Sequence, residues 1–268
     1  MSLENEINRL KRAKTDIRAS LKTKIGLEIG EDIKLDKYGE CINNVESTCT
    51  HINGDFYNVR TNNGTNYRYL FNYYNGTNLD LSNWDTSKVT DMRYMFGSCG
   101  SLTSLDVSNF ETSNVTDMCY MFNDCQKLTT LDVSNFDTSK VIVMNHMFGG
   151  CQILTTLDVS NFDTSKVTNM GYMFNRCYSL TTLDVSNFDT SKVTNIGYMF
   201  YFCNKLTSLD LSSFNTSNVA TYTNMLQNVP STCTIYINPD TFINSKTGQT
   251  FTPADLGWTG TEFTPKYN

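Results

Sequence analysis

This chain of 268 residues has no basic excess, only two histidines and no long apolar run, and each lack argues against a class of function. The formal net charge is −6, which leaves no broad basic surface to neutralise nucleic-acid phosphates. No apolar run approaches the roughly 18 residues of a membrane-spanning helix. The N-terminus, MSLENEINRLKRAKTDIRAS, has no apolar secretory segment, so we expect synthesis in a cytoplasm. These features predict no nucleic-acid partner and no membrane partner.

Few residues could support catalysis or metal binding. The two histidines, His51 and His146, have unlike surroundings, and a nucleophile without an oriented base is not a catalytic site. His146 replaces the tyrosine of the unit sequence MCYMF, which favours an aromatic substitute over a ligand. A carboxylate pair for glycoside cleavage is an alternative, but a reaction centre should break a repeat and the acidic positions do not. We predict a non-enzymatic protein with no catalytic residue, no cofactor and no metal site.

The chain instead contains six copies of one unit. The stretch LDVSNFETSNVTDMCYMFNDC, which begins at Leu105, closely matches LDLSNWDTSKVTDMRYMFGSC, which begins at Leu79. Further copies begin 26 residues apart, at Leu131, Leu157, Leu183 and Leu209. Self-similarity at such a period indicates a solenoid, in which each unit buries its apolar face against the next copy.

Each unit combines two hydrophobic periods. In LTSLDVS, Leu105 and Val107 alternate with Asp106 and Ser108, which is the pattern of a half-buried strand. Helical spacing follows at Val115, Met118, Met121, Phe122, Cys125 and Leu128. Thr112, Ser113 or Thr116 could cap that helix. The sequence therefore predicts an α/β repeat, a right-handed solenoid with one short parallel strand and one short helix per 26 residues. The strands are expected near residues 79–82, 105–108, 131–134, 157–160, 183–186 and 209–212.

The unit resembles a known family. LTSLDVSNF is similar to a leucine-rich repeat, and LDVSNFDTSKVTNMGYMFNRCYSLTT resembles the 26-residue repeat of BspA-like bacterial surface proteins, also abundant in mycoplasma lipoproteins. Phe110 stands where the asparagine ladder of leucine-rich repeats would begin, and Asn109 comes one residue early. We therefore expect a stacked phenylalanine spine in place of an asparagine ladder. Its members would be Trp84, Phe110, Phe136, Phe162, Phe188 and Phe214.

Acidic and cysteine residues also recur at the repeat period. One acidic column is expected on the solvent face of the sheet, either as a hydrogen-bonded structural column, which we favour, or as a calcium ladder. Its members are Asp80, Asp106, Asp132, Asp158, Asp184 and Asp210. A second column is expected to be a solvated face with weak ion pairs. Its members are Asp85, Glu111, Asp137, Asp163 and Asp189. The cysteine column is expected to be buried and reduced. Its members are Cys99, Cys125, Cys151, Cys177 and Cys203.

The flanks suggest an anchor and two caps. Residues 1–45 are predicted to form a helical anchoring and oligomerisation segment, because apolar residues occupy heptad positions. They are Leu3, Ile7, Leu10, Ile17 and Leu21. A helix docked within the molecule is the alternative. The segment EINRLKRAKTDIRASLKTKIG also resembles the opening of phage tail and fibre proteins. We assign residues 46–78 to an N-terminal cap, 79–228 to the repeats and 229–268 to a β-rich C-terminal cap.

The positions that vary between copies predict a contact surface near residues 175–205. Adjacent aromatic residues are typical anchors of such surfaces. The candidates are Tyr178, Tyr201, Phe202, Arg176, Asn204 and Lys205. The resemblances imply a phage virion protein, such as a fibre, tail appendage or decoration protein. It would form a homo-oligomer, attach to virion proteins through its N-terminal helix and contact a host glycan or protein, or a neighbouring virion subunit. The alternatives are a bacterial cell-surface adhesin of the BspA-like type and an intracellular protein-binding scaffold.

Overall fold

The structure is a computed structural model that describes residues 27–28, 60–61, 65–82 and 84–267. The predicted anchoring segment, with Leu3, Ile7, Leu10, Ile17 and Leu21, lies outside the described residues. Within residues 1–45 only strand β1 is described, and it pairs antiparallel with β2. The strands are β1 (Leu27–Glu28), β2 (Arg60–Thr61), β3 (Ser208–Leu211), β4 (Thr234–Ile237), β5 (Ile243–Asn244), β6 (Gln249–Thr250) and β7 (Thr264–Pro265). A short 3₁₀ helix spans Ala254–Leu256.

From residue 65 onward the chain winds into coils that stack in parallel, one repeat on the next. Single parallel bridges join equivalent residues of successive coils. They are Asn66 with Asp91, Asp91 with Asp117, Asp117 with Val143, Val143 with Asn169, Asn169 with Asn195, and Asn195 with Thr221. Residues 65–78, assigned above to a cap, form a coil of the same kind, because the Tyr67 amide donates to the carbonyl of Asp91 at 2.9 Å. The right-handed sense of the winding stays a prediction.

The predicted helix of each repeat is wrong, since the described repeat residues form chained tight turns there. The amides of Met92 and Tyr94 donate to carbonyls of the next coil at 3.0 and 3.1 Å, while the Met95 amide turns back to Met92 at 3.1 Å. An α-helix would use bonds to the fourth preceding residue and negative φ throughout. Here Tyr94 has φ 53° and Ser98 φ 58°, in the left-handed region. Both the turns and a helix bring every third or fourth residue inward, so the apolar spacing could not separate them.

The predicted strands are also absent as named strands from residues 79–82, 105–108, 131–134, 157–160 and 183–186, where few backbone bonds join neighbouring coils. An amide of each coil, such as that of Thr129, donates to the equivalent carbonyl of the coil before, that of Thr103, at 3.3 Å. Among the described residues, a full parallel ladder forms only between β3 and β4, and β7 then pairs parallel with β4. The sheet thus becomes regular where the repeats meet the C-terminal residues.

The core is a set of columns, each with one side chain per coil. The leucine, valine, methionine, phenylalanine and cysteine positions of the unit are all buried. One phenylalanine column stacks ring on ring, with centroids 5.6–5.8 Å apart and planes 5–8° from parallel. Its members are Phe71, Phe96, Phe122, Phe148, Phe174 and Phe200. This stack is not the predicted spine. Phe110, Phe136 and Phe162 are buried too, but they pack beside the stack at 6.2–6.3 Å.

An asparagine ladder exists, contrary to the sequence prediction. The Asn135 side-chain amide donates to the carbonyls of Val107 and Phe110 in the preceding coil, at 3.1 and 2.8 Å. The amides of Asn109, Asn161 and Asn187 act in the same way. The one-residue offset from the leucine-rich repeat is therefore compatible with backbone bonding, because the side chain reaches the turn of the coil before it.

A buried threonine column ties the coils together on another side. The Thr112 hydroxyl donates to the Asp137 carbonyl at 3.0 Å and accepts from the Asp137 amide at 2.8 Å. Thr138, Thr164 and Thr190 donate to the next coil in the same way. Each hydroxyl satisfies main-chain groups that would otherwise lack partners at a turn. One of the sequence-predicted helix caps, Thr112, thus bonds between coils.

Candidate binding surfaces

A ridge of stacked aromatic rings runs along the coils beside the phenylalanine stack. Its rings are half-buried, with centroids 4.1–4.7 Å apart and planes 8–18° from parallel. The members are Tyr69, Tyr94, Tyr120, His146, Tyr172 and Tyr198, and every one has positive φ. That conformation is costly for bulky residues, so ring stacking and inter-coil bonds must hold it. The sequence predictions above do not include this ridge, although an aromatic residue two positions before each stacked phenylalanine, tyrosine in five coils and His146 in the sixth, signals it.

His146 is the one histidine in the ridge, and burial between Tyr120 and Tyr172 lowers its pKa to about 4. The prediction that it substitutes for an aromatic residue agrees with this position. The unfolded chain has a histidine pKa near 6.5. Folding therefore favours the neutral ring, and this contribution to stability is present above about pH 6.5 and is lost as the pH falls towards 4.

We expect protonation of His146 to lower the free energy of unfolding by about 1 kcal/mol between pH 7 and pH 5. This figure is reduced because the ring is partly exposed to solvent. His146→Tyr should flatten the curve over this range, because tyrosine stays neutral and restores the ring of the other coils. Urea melts of both proteins at several pH values measure the difference. An equal fall in the two proteins would show that other groups cause it.

The predicted contact residues do come together, near the C-terminal end of the repeats. Tyr178 contacts Phe202 edge to face at 6.0 Å between centroids, and Tyr201 contacts Phe202 at 4.5 Å. Tyr201 also packs against Tyr198 at 5.3 Å, which joins this cluster to the ridge. The three aromatic side chains are half-buried because they cover one another. We call Tyr178, Tyr201 and Phe202 the aromatic cluster.

The three polar candidates lie close to the aromatic cluster in the chain. Arg176, Asn204 and Lys205 are exposed. The Arg176 amide donates to the Tyr201 carbonyl at 2.7 Å, so the two coils are held in register at this point. Aromatic residues with exposed polar residues close by in the chain have the composition of a protein or glycan contact surface.

The first acidic column lies on a different face and is hydrogen-bonded, as favoured above. The Asp132 carboxylate accepts the Ser134 amide at 2.9 Å, and the Asp106 and Asp158 carboxylates do the same with Ser108 and Ser160. These serine bonds lower the pKa values of all three carboxyl groups. Among the described residues, no cluster of three or more potential ligands could hold a metal ion.

The cysteine column is buried, as predicted. The thiol of Cys125 lies 3.2 Å from the Phe96 carbonyl, and the other members have equivalent contacts. Burial raises the pKa of Cys151 and of Cys203 to about 12. A protonated, enclosed thiol is a poor nucleophile and a poor ligand. These cysteines are packing residues.

A family model described as "Mycoplasma protein of unknown function, DUF285" matches the chain twice, over residues 41–152 and 127–237. The chain belongs to this family. The matched ranges include the aromatic ridge, the aromatic cluster and the first acidic column, but not residues 1–40 or 238–268. Searches of the curated proteins and of the solved structures found no match. In the part of the chain that the structure describes, no helix has the length and apolar character needed to cross a membrane.

Proposed function

We propose that this DUF285 chain is a non-enzymatic binding protein whose stacked coils display the aromatic cluster to a host glycan or protein. The cluster carries the proposal, because three aromatic side chains contact one another across neighbouring coils, with exposed polar residues close by in the chain. The same positions two or three coils earlier hold Asn123, Asp124 and Gln126. One backbone therefore carries different surfaces at equivalent places, which is how a repeat scaffold changes specificity without changing its core.

We further propose that the protein is a phage virion component, such as a fibre, tail appendage or decoration protein. The similarity of its N-terminal segment to phage tail proteins is the support for this setting. That segment would bind virion proteins and make the protein a homo-oligomer. The second proposal is a bacterial cell-surface adhesin of the BspA-like type. The family description, which is of a mycoplasma protein, is compatible with a bacterial source.

Replacing Tyr178, Tyr201 and Phe202 with serine should abolish or strongly weaken binding to a glycan array or to labelled bacterial cells. Hot-spot aromatic residues typically contribute 2 kcal/mol or more, so a loss of about thirtyfold is expected. Circular dichroism should be nearly unchanged, because these rings lie outside the core.

The matched control replaces Asn123, Asp124 and Gln126 with serine. These residues occupy equivalent positions on earlier coils, so this variant should bind as the unaltered protein does. Equal binding by all three proteins would refute the proposed surface. Equal loss in both variants would show that the whole edge, and not the aromatic cluster, makes the contact.

A further inference from the structure

A groove runs along the face that carries the first acidic column. It is lined by a row of hydroxyl groups, a row of carboxylates and the buried leucines that lie between them in the chain. The hydroxyl row is Ser104, Thr130, Thr156, Thr182 and Ser208. The carboxylate row is Asp106, Asp132, Asp158, Asp184 and Asp210. Beside the C-terminal residues, where Tyr236 also lines it, this open groove has a volume of about 680 Å³.

The charge of this groove is uncompensated over most of its length. Within residues 65–82 and 84–267, Asp210 is the one member of the row with an ion pair. The other four carboxylates are exposed. A concave surface lined by charge of one sign concentrates the opposite charge from solution. The electrostatics therefore favour a cationic ligand.

Lys266 shows what kind of cation fits. It follows β7, lies outside the repeats, and places its ammonium group on the Asp210 carboxylate. The Lys266 amide also donates to the Ile237 carbonyl at 2.7 Å, so the backbone is held as an added strand. The bond to Asp210 is the main cause of a raised Lys266 pKa, and the nearby Asp184 and Tyr236 add to it. A peptide segment with a lysine thus already occupies the last step of the groove.

We propose that the groove binds a lysine-rich peptide segment of a partner protein, whose ammonium groups contact alternate members of the row Asp106, Asp132, Asp158 and Asp184 as Lys266 contacts Asp210. This inference goes beyond the proposed function, since it concerns another face and another ligand. A metal ion fits less well, because the carboxylates lie on separate coils about 4.8 Å apart and do not converge. An ammonium group needs only one carboxylate and a neighbouring hydroxyl.

The spacing of the row suggests the peptide pattern. Three residues of polyproline-type chain span about 9 Å and bring the side chain back to the same face. Two coils span about 9.6 Å. Lysines at every third residue would therefore meet every second carboxylate, and the hydroxyl row can bond to the peptide backbone between them.

The test uses a 12-residue peptide with lysine at every third position, separated by threonine and serine, and a second peptide with glutamate in place of lysine. Calorimetry with the full chain at about 20 mM salt should detect the lysine peptide and not the glutamate peptide. Raising the salt to about 0.2 M should weaken binding strongly, because the contacts are solvent-exposed ion pairs.

Two double variants test whether peptide binding depends on this groove or only on the net negative charge of the protein. Asp132→Asn with Asp158→Asn should weaken the lysine peptide about fivefold or more. Asp163→Asn with Asp189→Asn removes the same charge from the second acidic column, where the carboxylates also accept serine amides, and should change binding less than about twofold. Equal weakening in both variants, or no binding by the unaltered chain, would overturn the proposal.

Lys266→Ala should strengthen peptide binding, whereas the aspartate variants should weaken it. It frees Asp210, so the peptide should bind about twofold more tightly or better. Thermal melts would verify that the variant is folded. Weaker binding by a folded Lys266→Ala variant would contradict the inference that Lys266 occupies a position that a lysine of the peptide could take. Spermine binding as tightly as the peptide, with the same dependence on Asp132 and Asp158, would show a polyamine site and overturn the peptide assignment. Neither outcome would affect the aromatic cluster.

Discussion

Deletion of residues 131–156, one whole repeat, should leave a folded protein, whereas deletion of residues 131–155 should not. The first deletion joins Thr130 to Leu157 and preserves the register, because Thr130 and Thr156 occupy the same position of the unit. The coil of Leu105 can then stack on the coil of Leu157 with the same columns. Repeat proteins of this kind tolerate the loss of one unit, since each contacts only its neighbours.

The second deletion shifts every later residue by one position. Phe174, which would follow Phe122 in the stack, would then face the position of another side chain, and the turns with positive φ on the two sides of the junction would no longer align. Coils on either side of the junction could not share a core. We expect loss of the cooperative thermal transition, or a stable fragment only on one side of the junction.

Circular dichroism, calorimetry and limited proteolysis of the two variants measure the difference. The 26-residue deletion should show one cooperative transition at a lower temperature than the full chain, since one interface is lost. Two deletions with the same melting behaviour would mean that the register does not determine stability. The two variants differ by one residue, Thr156, so a difference between their melting curves reports the effect of the register.

The second large effect should come from Phe148→Ala. Phe148 is fully buried in the middle of the ring stack, with Phe122 and Phe174 each 5.8 Å away and Phe162 at 6.2 Å. Removing a core phenylalanine costs about 3–5 kcal/mol through lost burial and a cavity. Rigid coils above and below can relax little, so the upper part of this range is expected. Phe162→Ala, in the predicted spine, should also cost about 3–5 kcal/mol.

Ile153→Ala is the matched control on the same coil. Its side chain is 43% exposed, so the change should stay within about 0.5 kcal/mol. Urea unfolding followed by circular dichroism gives all three values. A loss below 1 kcal/mol for Phe148→Ala would contradict the described packing of the stack.

The sequence predicted what depends on period and polarity alone. The 26-residue spacing and the alternation around Leu105 identified which residues face inward, and the burial of the cysteine column is confirmed. It also pointed to Tyr178, Tyr201 and Phe202, which the structure brings into contact. Such features follow from sequence because burial of apolar side chains is the dominant favourable term in folding. Every copy of the unit has its apolar residues at the same positions.

What the sequence could not determine is where the backbone hydrogen bonds go. The spacing of Met118, Met121 and Phe122 fits a helix, but the amides there bond to the next coil, and Tyr120 adopts positive φ. A single copy cannot show this, because the bonds exist only when another coil lies alongside. Tertiary stacking therefore overrides the local helical pattern.

The same reason explains the side-chain contacts that the sequence missed. The Asn135 ladder bond depends on how the preceding coil presents its carbonyls. The pair of Lys266 with Asp210 joins residues 56 positions apart, and only the added strand β7 places them together. Periodicity determines which side chains share a column and a face. The tertiary structure alone decides which neighbouring columns touch, because that depends on the path of the backbone between them.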